Sequence, residues 1–255
     1  MSQHPEPHKI TFADLSSALH IGTQKFRQTI LLSLVYSSLF TLIGFGLYII
    51  LEAEKIAPIS HSLAAGFMLI GPALLVGFFS ISDALDQGRK PALSDILKGF
   101  HHAHLGLWGF SMLCVFLFLI WITEAATVYA FVVGSELVGF MGMVPPDSNV
   151  ISFLLFTSLG GLVLAFIAFI AFVTSAFTVP LMVYTDIRMV QAVVASVRAV
   201  FKNFMVMMVW ALLLVFLIMG AAWFLPLLPL TLPIGAYASL ALYHAVFIEY
   251  SETFL

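Results

Sequence analysis

Uninterrupted apolar runs alternate with short polar spacers along the whole chain. A bilayer core about 30 Å thick needs about 20 apolar residues per helical span. Six segments meet that length, at about 29 to 51, 62 to 82, 105 to 130, 151 to 183, 204 to 224 and 229 to 248. The fourth is longer than a span requires, with no charge between Asp147 and Asp186. Dividing it at Gly160–Gly161 leaves a first piece of only about 12 residues, too short to cross, so it reads as one tilted or overhanging helix whose end Pro180 bends. The pattern predicts an all-α polytopic membrane protein, a single membrane domain over residues 1–255.

Three spacers share a second pattern. "LSSALHIGTQKF" from Leu15, "LSDILKGFHHAH" from Leu93 and "VVASVRAVFKNF" from Val193 each precede an apolar run that turns back as a hairpin. Aligned without gaps, they bring His20, Lys98 and Arg198 to one position behind an apolar residue, Leu19, Leu97 or Val197. Each reads as a short amphipathic helix suited to the headgroup plane, with its basic residues turned to anionic lipid. The expected organisation is three units, approximately 11–90, 91–185 and 186–255, each an interfacial helix plus a transmembrane hairpin. Thr11 with Asp14, Pro91, and Thr185 or Asp186 are the expected helix starts. The interfacial helices set the angle at which each hairpin enters, and a docking surface for a cytoplasmic partner is the competing reading.

Composition agrees with the pattern. The chain is 62% hydrophobic and 9% charged, against roughly 45–50% apolar and 25% charged in soluble domains. Basic residues resist translocation in short loops, so their distribution orients the spans. A cytoplasmic N-terminus places Lys9, Lys25, Arg27, Arg89, Lys90, Lys98, Arg188, Arg198 and Lys202 inside and Lys55 alone outside. The C-terminus is then also cytoplasmic. The polar N-terminal segment lacks the pattern of a secretory signal, so the first apolar helix reads as a retained anchor. Net charge is −3, and no basic block is long enough to track a phosphate backbone, which argues against nucleic acid as a partner. The single cysteine, Cys114, rules out an intramolecular disulfide or a thiolate cluster.

Three strings carry a family resemblance: "KITFADLSSALHIGTQKFRQ" near the N-terminus, "LIGPALLVGFFSISDALDQGRKPALSDILKGF" from 69 to 100, and "FTVPLMVYTDIRMVQAVVASVRAVFKNF" from 177 to 204. With these strings the chain resembles, over nearly its whole length, the bacterial integral membrane proteins grouped as DUF2189, and "VP…D…A…SVRAV" is the most specific part. The resemblance implies a multi-pass protein of the bacterial inner membrane and supplies no catalytic residues. Where the family has a "GHATWH"-like C-terminal helix, this chain reads "GAYASLALYHAVFIEY", which leaves His244. A haem–copper core needs several membrane-buried histidines, so one histidine there argues against a catalytic oxidase subunit, though not against a neighbour of one.

Intramembrane ionisable groups are the first pointers to function. Glu124 lies about 19 residues into its span, about 28 Å deep, and so reads as an interfacial carboxylate at the outer side, with a gate or proton relay as the alternative. Asp83 and Asp86 end the second apolar segment beside Arg89 and Lys90, where solvated ion pairing is expected. Asp186 aligns with Asp86 and is expected to cap a helix or pair with Arg188. Gly71–Pro72 in mid-span is a kink or, for a carrier, a place where backbone carbonyls open to a cavity. Gly161, Ala165 and Ala168 form a small-residue stripe that favours close helix packing. The tryptophans suit aromatic belts at span ends.

"HHAHLGLWGF" from His101 resembles a metal site, but on a helix His101 and His104 share a face while His102 points away. Metal binding by His101 and His104 and a pH-dependent lipid contact stand beside the favoured reading, a polar boundary where the second unit enters the bilayer. Met141 and Met143 suit copper in principle, yet fall on the other side of the membrane from those histidines and are better read as apolar packing. No Gly-rich phosphate loop or HExxH motif occurs, and the loops are too short for a separate catalytic domain. The sequence therefore predicts a non-enzymatic accessory, assembly or scaffold component of a membrane complex, with respiratory complexes among the candidates. No cofactor is expected. The expected partners are lipids and other membrane subunits or further copies of the chain. A transporter or channel for a small solute, ion or lipid is the alternative.

Overall fold

A computed structural model describes residues 6–53, 74–101, 105–134 and 150–248. The described residues form helices α1 (Phe12–Gln28), α2 (Ile30–Ala53), α3 (Val76–Asp86), α4 (Leu93–His101) and α5 (Leu105–Gly134). They continue with α6 (Val150–Ser175), α7 (Thr178–Tyr184), α8 (Met189–Lys202), α9 (Phe204–Trp223), a 3-10 turn (Leu225–Leu227) and α10 (Leu228–Phe247). Among them, five segments are long and apolar enough to cross a membrane: Ile30–Ile50, Gly106–Thr127, Ser158–Tyr184, Phe204–Ala221 and Leu225–Phe247. The sixth expected span, 62 to 82, lies largely outside the described residues, which take it up at 74 and include α3.

The short helices start where local hydrogen bonding allows. Thr11 and Asp14 close a reciprocal capping box on α1, with Thr11 N–H donating to Asp14 Oδ2 at 2.7 Å and Asp14 N–H to Thr11 Oγ1 at 3.4 Å. Pro91 lies two residues before α4, and Asp95 caps that helix by reaching back to Ala92 N–H at 2.9 Å. Neither Thr185 nor Asp186 caps α8. That helix begins at Met189, and Gln191 accepts from Arg188 N–H at 3.2 Å.

At one residue each, α1 turns into α2 and α8 into α9. Thr29 (φ −120°, ψ 22°) and Asn203 (φ −118°, ψ 33°) have nearly the same backbone conformation, and each donates its N–H to the carbonyls three and four residues back. Counted from these joints, buried Ala18, Gly22, Phe26 and Thr29 correspond to buried Ala192, Ser196, Val200 and Asn203. The correspondence shifts the ungapped alignment of the first segment by one helical turn, and His20 stands opposite Val194 rather than Arg198. Ile96, Phe100, Leu107 and Phe110 keep the unshifted register with Ser196, Val200, Met207 and Trp210.

The amphipathic helices do more than lie on a surface, because each buries one face against protein. Along α10, α1 makes the most extensive interhelical contact among the described elements; α4 packs on α3, and α8 on α6 and α7. The crossing of α1 over α10 is at Gly22, where a Cβ would stand 2.8 Å from Ala238 N and from Ile234 O. Residues 7–10 strap the same end shut. His8 N–H donates to Val246 O at 2.7 Å, Ile10 N–H to Asn203 Oδ1 at 2.8 Å, Asn203 Nδ2 to His8 O at 2.9 Å, and Lys202 Nζ to Pro7 O at 2.6 Å. These bonds satisfy one carbonyl, that of Val246, at the end of α10 and the polar groups of a buried asparagine.

The fourth apolar segment is one long helix, α6, with a break after Ser175 that leads into α7. The break precedes Pro180, which has no N–H to continue the ladder. Ser196 fills the gap from α8, its hydroxyl accepting from Phe177 N–H at 3.1 Å and donating to Val173 O at 2.9 Å. The stripe at Gly161, Ala165 and Ala168 is exposed, and a Cβ on Gly161 would meet nothing within 4 Å. Close packing is found at Gly22 instead. Trp108 is exposed near the start of its span as an aromatic belt requires, whereas Trp121 and Trp210 are buried.

Candidate functional site

A cleft of 380 Å³ opens at the charged ends of α3, α4, α5 and α7, lined by residues that include Ser80, Asp83, Arg89, Asp95, Lys98 and Val183. The turn from α3 to α4 builds it. Gly88 adopts φ +68°, its N–H bonds to Leu85 O at 2.9 Å, and Arg89 N–H bonds to Ala84 O at 3.0 Å. This is a Schellman closure, in which glycine takes the left-handed position that other residues disfavour. The chain reverses, and α4 lies so close on α3 that a Cβ on Gly99 would fall 2.0 Å from Ser80 Oγ.

The reversal gathers charge. Asp95 Oδ1 lies 3.4 Å from Arg89 Nη1 and 3.7 Å from Lys98 Nζ, while its other oxygen accepts from Ala92 N–H. The Ala92 amide, with the guanidinium and ammonium beside it, holds the Asp95 carboxyl below the usual carboxylate range against the opposing effect of burial. Gln87 Oε1 takes two further bonds from Arg89, at 3.0 and 2.9 Å, and fixes the guanidinium plane.

Asp83 has the opposite setting. Burial raises its pKa, helped by the neighbouring Asp86 and opposed by the Tyr184 hydroxyl, which donates to Asp83 Oδ1 at 2.7 Å, and by Lys25. Tyr184 belongs to α7 and stacks on Tyr243 of α10 with ring centroids 5.7 Å apart, with Phe79 of α3 at 6.5 Å and His244 at 5.9 Å. Three helices from different parts of the chain therefore meet behind Asp83.

Most residues singled out from the sequence lie elsewhere. Asp86 does not pair with its neighbours Arg89 or Lys90. It lies 2.6 Å from Lys25 Nζ of α1, which also donates to Ser82 Oγ at 2.6 Å, and so ties α1 to α3. Asp186 is exposed between α7 and α8, Arg198 is exposed on α8, and Glu124 is half-buried near the far end of α5. His101 ends α4. His102, His104, Gly71, Pro72, His61, Met141 and Met143 lie outside the described residues. Among the described residues, no three His, Cys, Asp or Glu side chains form a cluster able to hold a metal ion. Asp95 and Gly88 were passed over in the sequence, although "PALSD" carries the spacing at which an acid caps from the third helical position.

What the cleft can do chemically is recognise charge, with an acid-lined part at Asp83 and a cation-bearing part at Arg89 and Lys98. Helices of this length and apolarity define a polytopic α-helical integral membrane protein. Residues 60–184, just under half of the chain, match the family model described as "Predicted integral membrane protein (DUF2189)", the family that its motifs resemble. The match contains the whole 69–100 string and the opening of the 177–204 string, while the N-terminal string lies outside it. No curated protein and no solved structure matches the chain.

Proposed function

We propose that the protein is a non-enzymatic accessory, assembly or scaffold component of a membrane complex in the bacterial inner membrane. In this reading it has six spans, the second formed by residues 62 to 82, with both termini cytoplasmic, so that nine of its ten basic residues lie inside. It is built from three repeated units of short helix plus hairpin. The matching joints at Thr29 and Asn203 and their shared burial pattern support the repeat.

The observation that carries the proposal is how polar groups between the spans are engaged. Tyr237 OH bonds to Ser33 Oγ at 2.7 Å and Thr29 Oγ1 at 3.2 Å, Ser37 Oγ donates to Pro229 O at 3.0 Å, and Tyr36 OH to Leu74 O at 2.9 Å. These groups serve helix packing. Meanwhile α5, α6 and α9 turn Met112, Phe116, Leu162, Phe166 and Phe216 outwards, faces that suit lipid, other subunits or a second copy. The cleft is the feature that favours the competing transporter or channel reading.

Purification in gentle detergent followed by mass spectrometry tests the proposal. A membrane protein recovered in fixed proportion, and lost when Met112 and Phe116 become serine, is the expected result. A lone monomer that mediates solute flux in liposomes would overturn it.

A further inference from the structure

Helices α1, α4 and α8 each bury one face against protein and differ in the face turned away from it. On α1 the exposed positions include Ser16, Ser17, His20, Gln24 and Arg27, a polar face that suits water. On α4 Leu93 and Leu97 turn outwards, but the cation beside them, Lys98, is engaged with Asp95 at 3.7 Å. On α8 the outward side chains Val190, Val194 and Phe201 are exposed, with Val193 and Val197 half-buried next to them. At about 100° per residue these five form one apolar arc about 100° wide, and the buried Ala192, Ser196, Ala199 and Val200 lie across the helix from it. Arg198 and Lys202, both exposed, stand along one edge of the arc. The arc also joins the lipid-facing surface of the spans. Phe201 stacks on Phe204 of α9 with ring centroids 6.3 Å apart, and meets Phe169 of α6 edge-on at 6.3 Å. Beyond that joint α9 turns out Met205, Val209, Leu212 and Phe216, at the spacing of a single helix face.

We propose that the outer face of α8 binds anionic phospholipid, with the apolar arc seated among acyl chains and Arg198 and Lys202 holding the headgroup phosphate. The helix lies between two candidate spans, Ser158–Tyr184 and Phe204–Ala221, which places it at the bilayer boundary. An amphipathic helix at that depth is held by its buried apolar area together with the attraction of its cations to anionic lipid. Arginine and lysine are the side chains suited to phosphate oxygens. Arg198 makes no ion pair within 4 Å among the described residues, and the bond from Lys202 Nζ to Pro7 O uses one of its three N–H groups. Selectivity follows from the charges on the helix. A zwitterionic headgroup brings an ammonium as well as a phosphate, and α8 carries no carboxylate to receive it; the exposed Asp186 precedes the helix. The sequence pattern treats the three short helices alike, whereas in the structure the outward apolar arc with cations along its edge is on α8 and the face of α1 is polar. This surface is separate from the α5 face assigned above to a partner subunit.

Two measurements on the full chain test the surface, and melting in detergent verifies that each variant is folded. The first is depth. In a Cys114→Ser chain, nitroxide labels on Val190→Cys or Val194→Cys, and on Ser17→Cys as a water-facing reference, are followed in nanodiscs of phosphatidylcholine and phosphatidylglycerol. The α8 labels are expected to be relaxed more by oxygen than by a water-soluble nickel chelate, and the Ser17 label to show the reverse. The second is lipid preference. In native mass spectrometry with phosphatidylglycerol and phosphatidylcholine of identical acyl chains, phosphatidylglycerol is expected to be retained about twentyfold over phosphatidylcholine, about fivefold for each cation. Arg198→Gln is expected to cut that preference about fivefold, while Arg198→Lys, which keeps the charge, preserves it. Labels on α8 that behave like the Ser17 label place the arc in water, and labels shielded from both reagents place another chain over it; either result overturns the proposal. Equal retention of the two lipids by the native chain, or a folded Arg198→Gln variant that keeps the full preference, overturns it as well.

Discussion

The α1–α10 seam and the α5–α6 pair are both contacts between helices, yet they are held in different ways. Along the seam, Ala18, Ala238 and Leu242 are at most 2% exposed, and Gly22 lets the backbones touch. Between α5 and α6 the buried cluster consists of Trp121 and Ala171 with partly buried neighbours, while Met112 and Phe166 are 77% and 62% exposed. Within a bilayer, apolar side chains gain little by leaving lipid for protein, so helices join where small residues and hydrogen bonds draw them together. The seam has both. The α5–α6 pair presents an exposed apolar surface suited to lipid.

The largest expected effect follows at Gly22. Gly22→Leu forces a side chain into the backbone of Ala238 and Ile234, and overpacking of this kind costs about 1–3 kcal/mol or more. Thermal melting in detergent should fall sharply, and protease should gain access to residues 7–10. An unchanged melting curve would break the seam as described. Next in size is Asn203→Ala, which strands Ile10 N–H and His8 O and should cost about 1–3 kcal/mol.

The two cleft carboxylates make a smaller, pH-dependent contrast. Asp95 has a lowered pKa in the folded state, so its contribution to stability is present above the unfolded value of about 3.9 and is lost as pH falls through the folded value. Asp83 is raised, so the folded state binds the extra proton, and stability declines as pH rises from about 3.9 through its folded value. Asp83→Asn should therefore stabilise the protein at neutral pH and remove that decline, whereas Asp95→Asn should destabilise it by about 1 kcal/mol. Melting temperature against pH for the two variants separates them. The reverse ordering at neutral pH would contradict the assigned environments. Breaking Lys25–Asp86 with Asp86→Asn should cost less, below about 1 kcal/mol, because half of the Asp86 side chain is exposed.

The fold class and the individual apolar helices were legible because runs of about 20 apolar residues have few other uses. The capping box at Thr11 and Asp14 was legible as well, being a local arrangement over four residues. The seam was not: nothing adjacent to Gly22 announces that residues more than two hundred positions away will press against it. The cleft was half legible. Asp83 and Arg89 stood out as charges at the end of an apolar run, but their partners Tyr184 and Asp95 depend on how helices reverse and cross. In the sequence His20, Lys98 and Arg198 stand out because charge is conspicuous, whereas the buried positions Ala18, Gly22 and Phe26, which the joint at Thr29 brings opposite Ala192, Ser196 and Val200, are inconspicuous in a chain this apolar.

The smallest expected effect completes the contrast. Gly161 on α6 belongs to the same residue type as Gly22, but a Cβ there meets nothing within 4 Å. Gly161→Leu adds apolar surface to an already apolar face and replaces a residue unfavourable in a helix interior, so the isolated chain should melt within about 0.5 kcal/mol of the original or slightly higher. The same variant has a second use. If the exposed stripe of Gly161, Ala165 and Ala168 is where another subunit comes close, leucine there should expel that subunit from the purified complex while leaving the chain folded. A drop in the melting of the isolated chain as large as that of Gly22→Leu would mean that the stripe packs within the chain, and the contrast between seam and lipid-facing pair would fall with it.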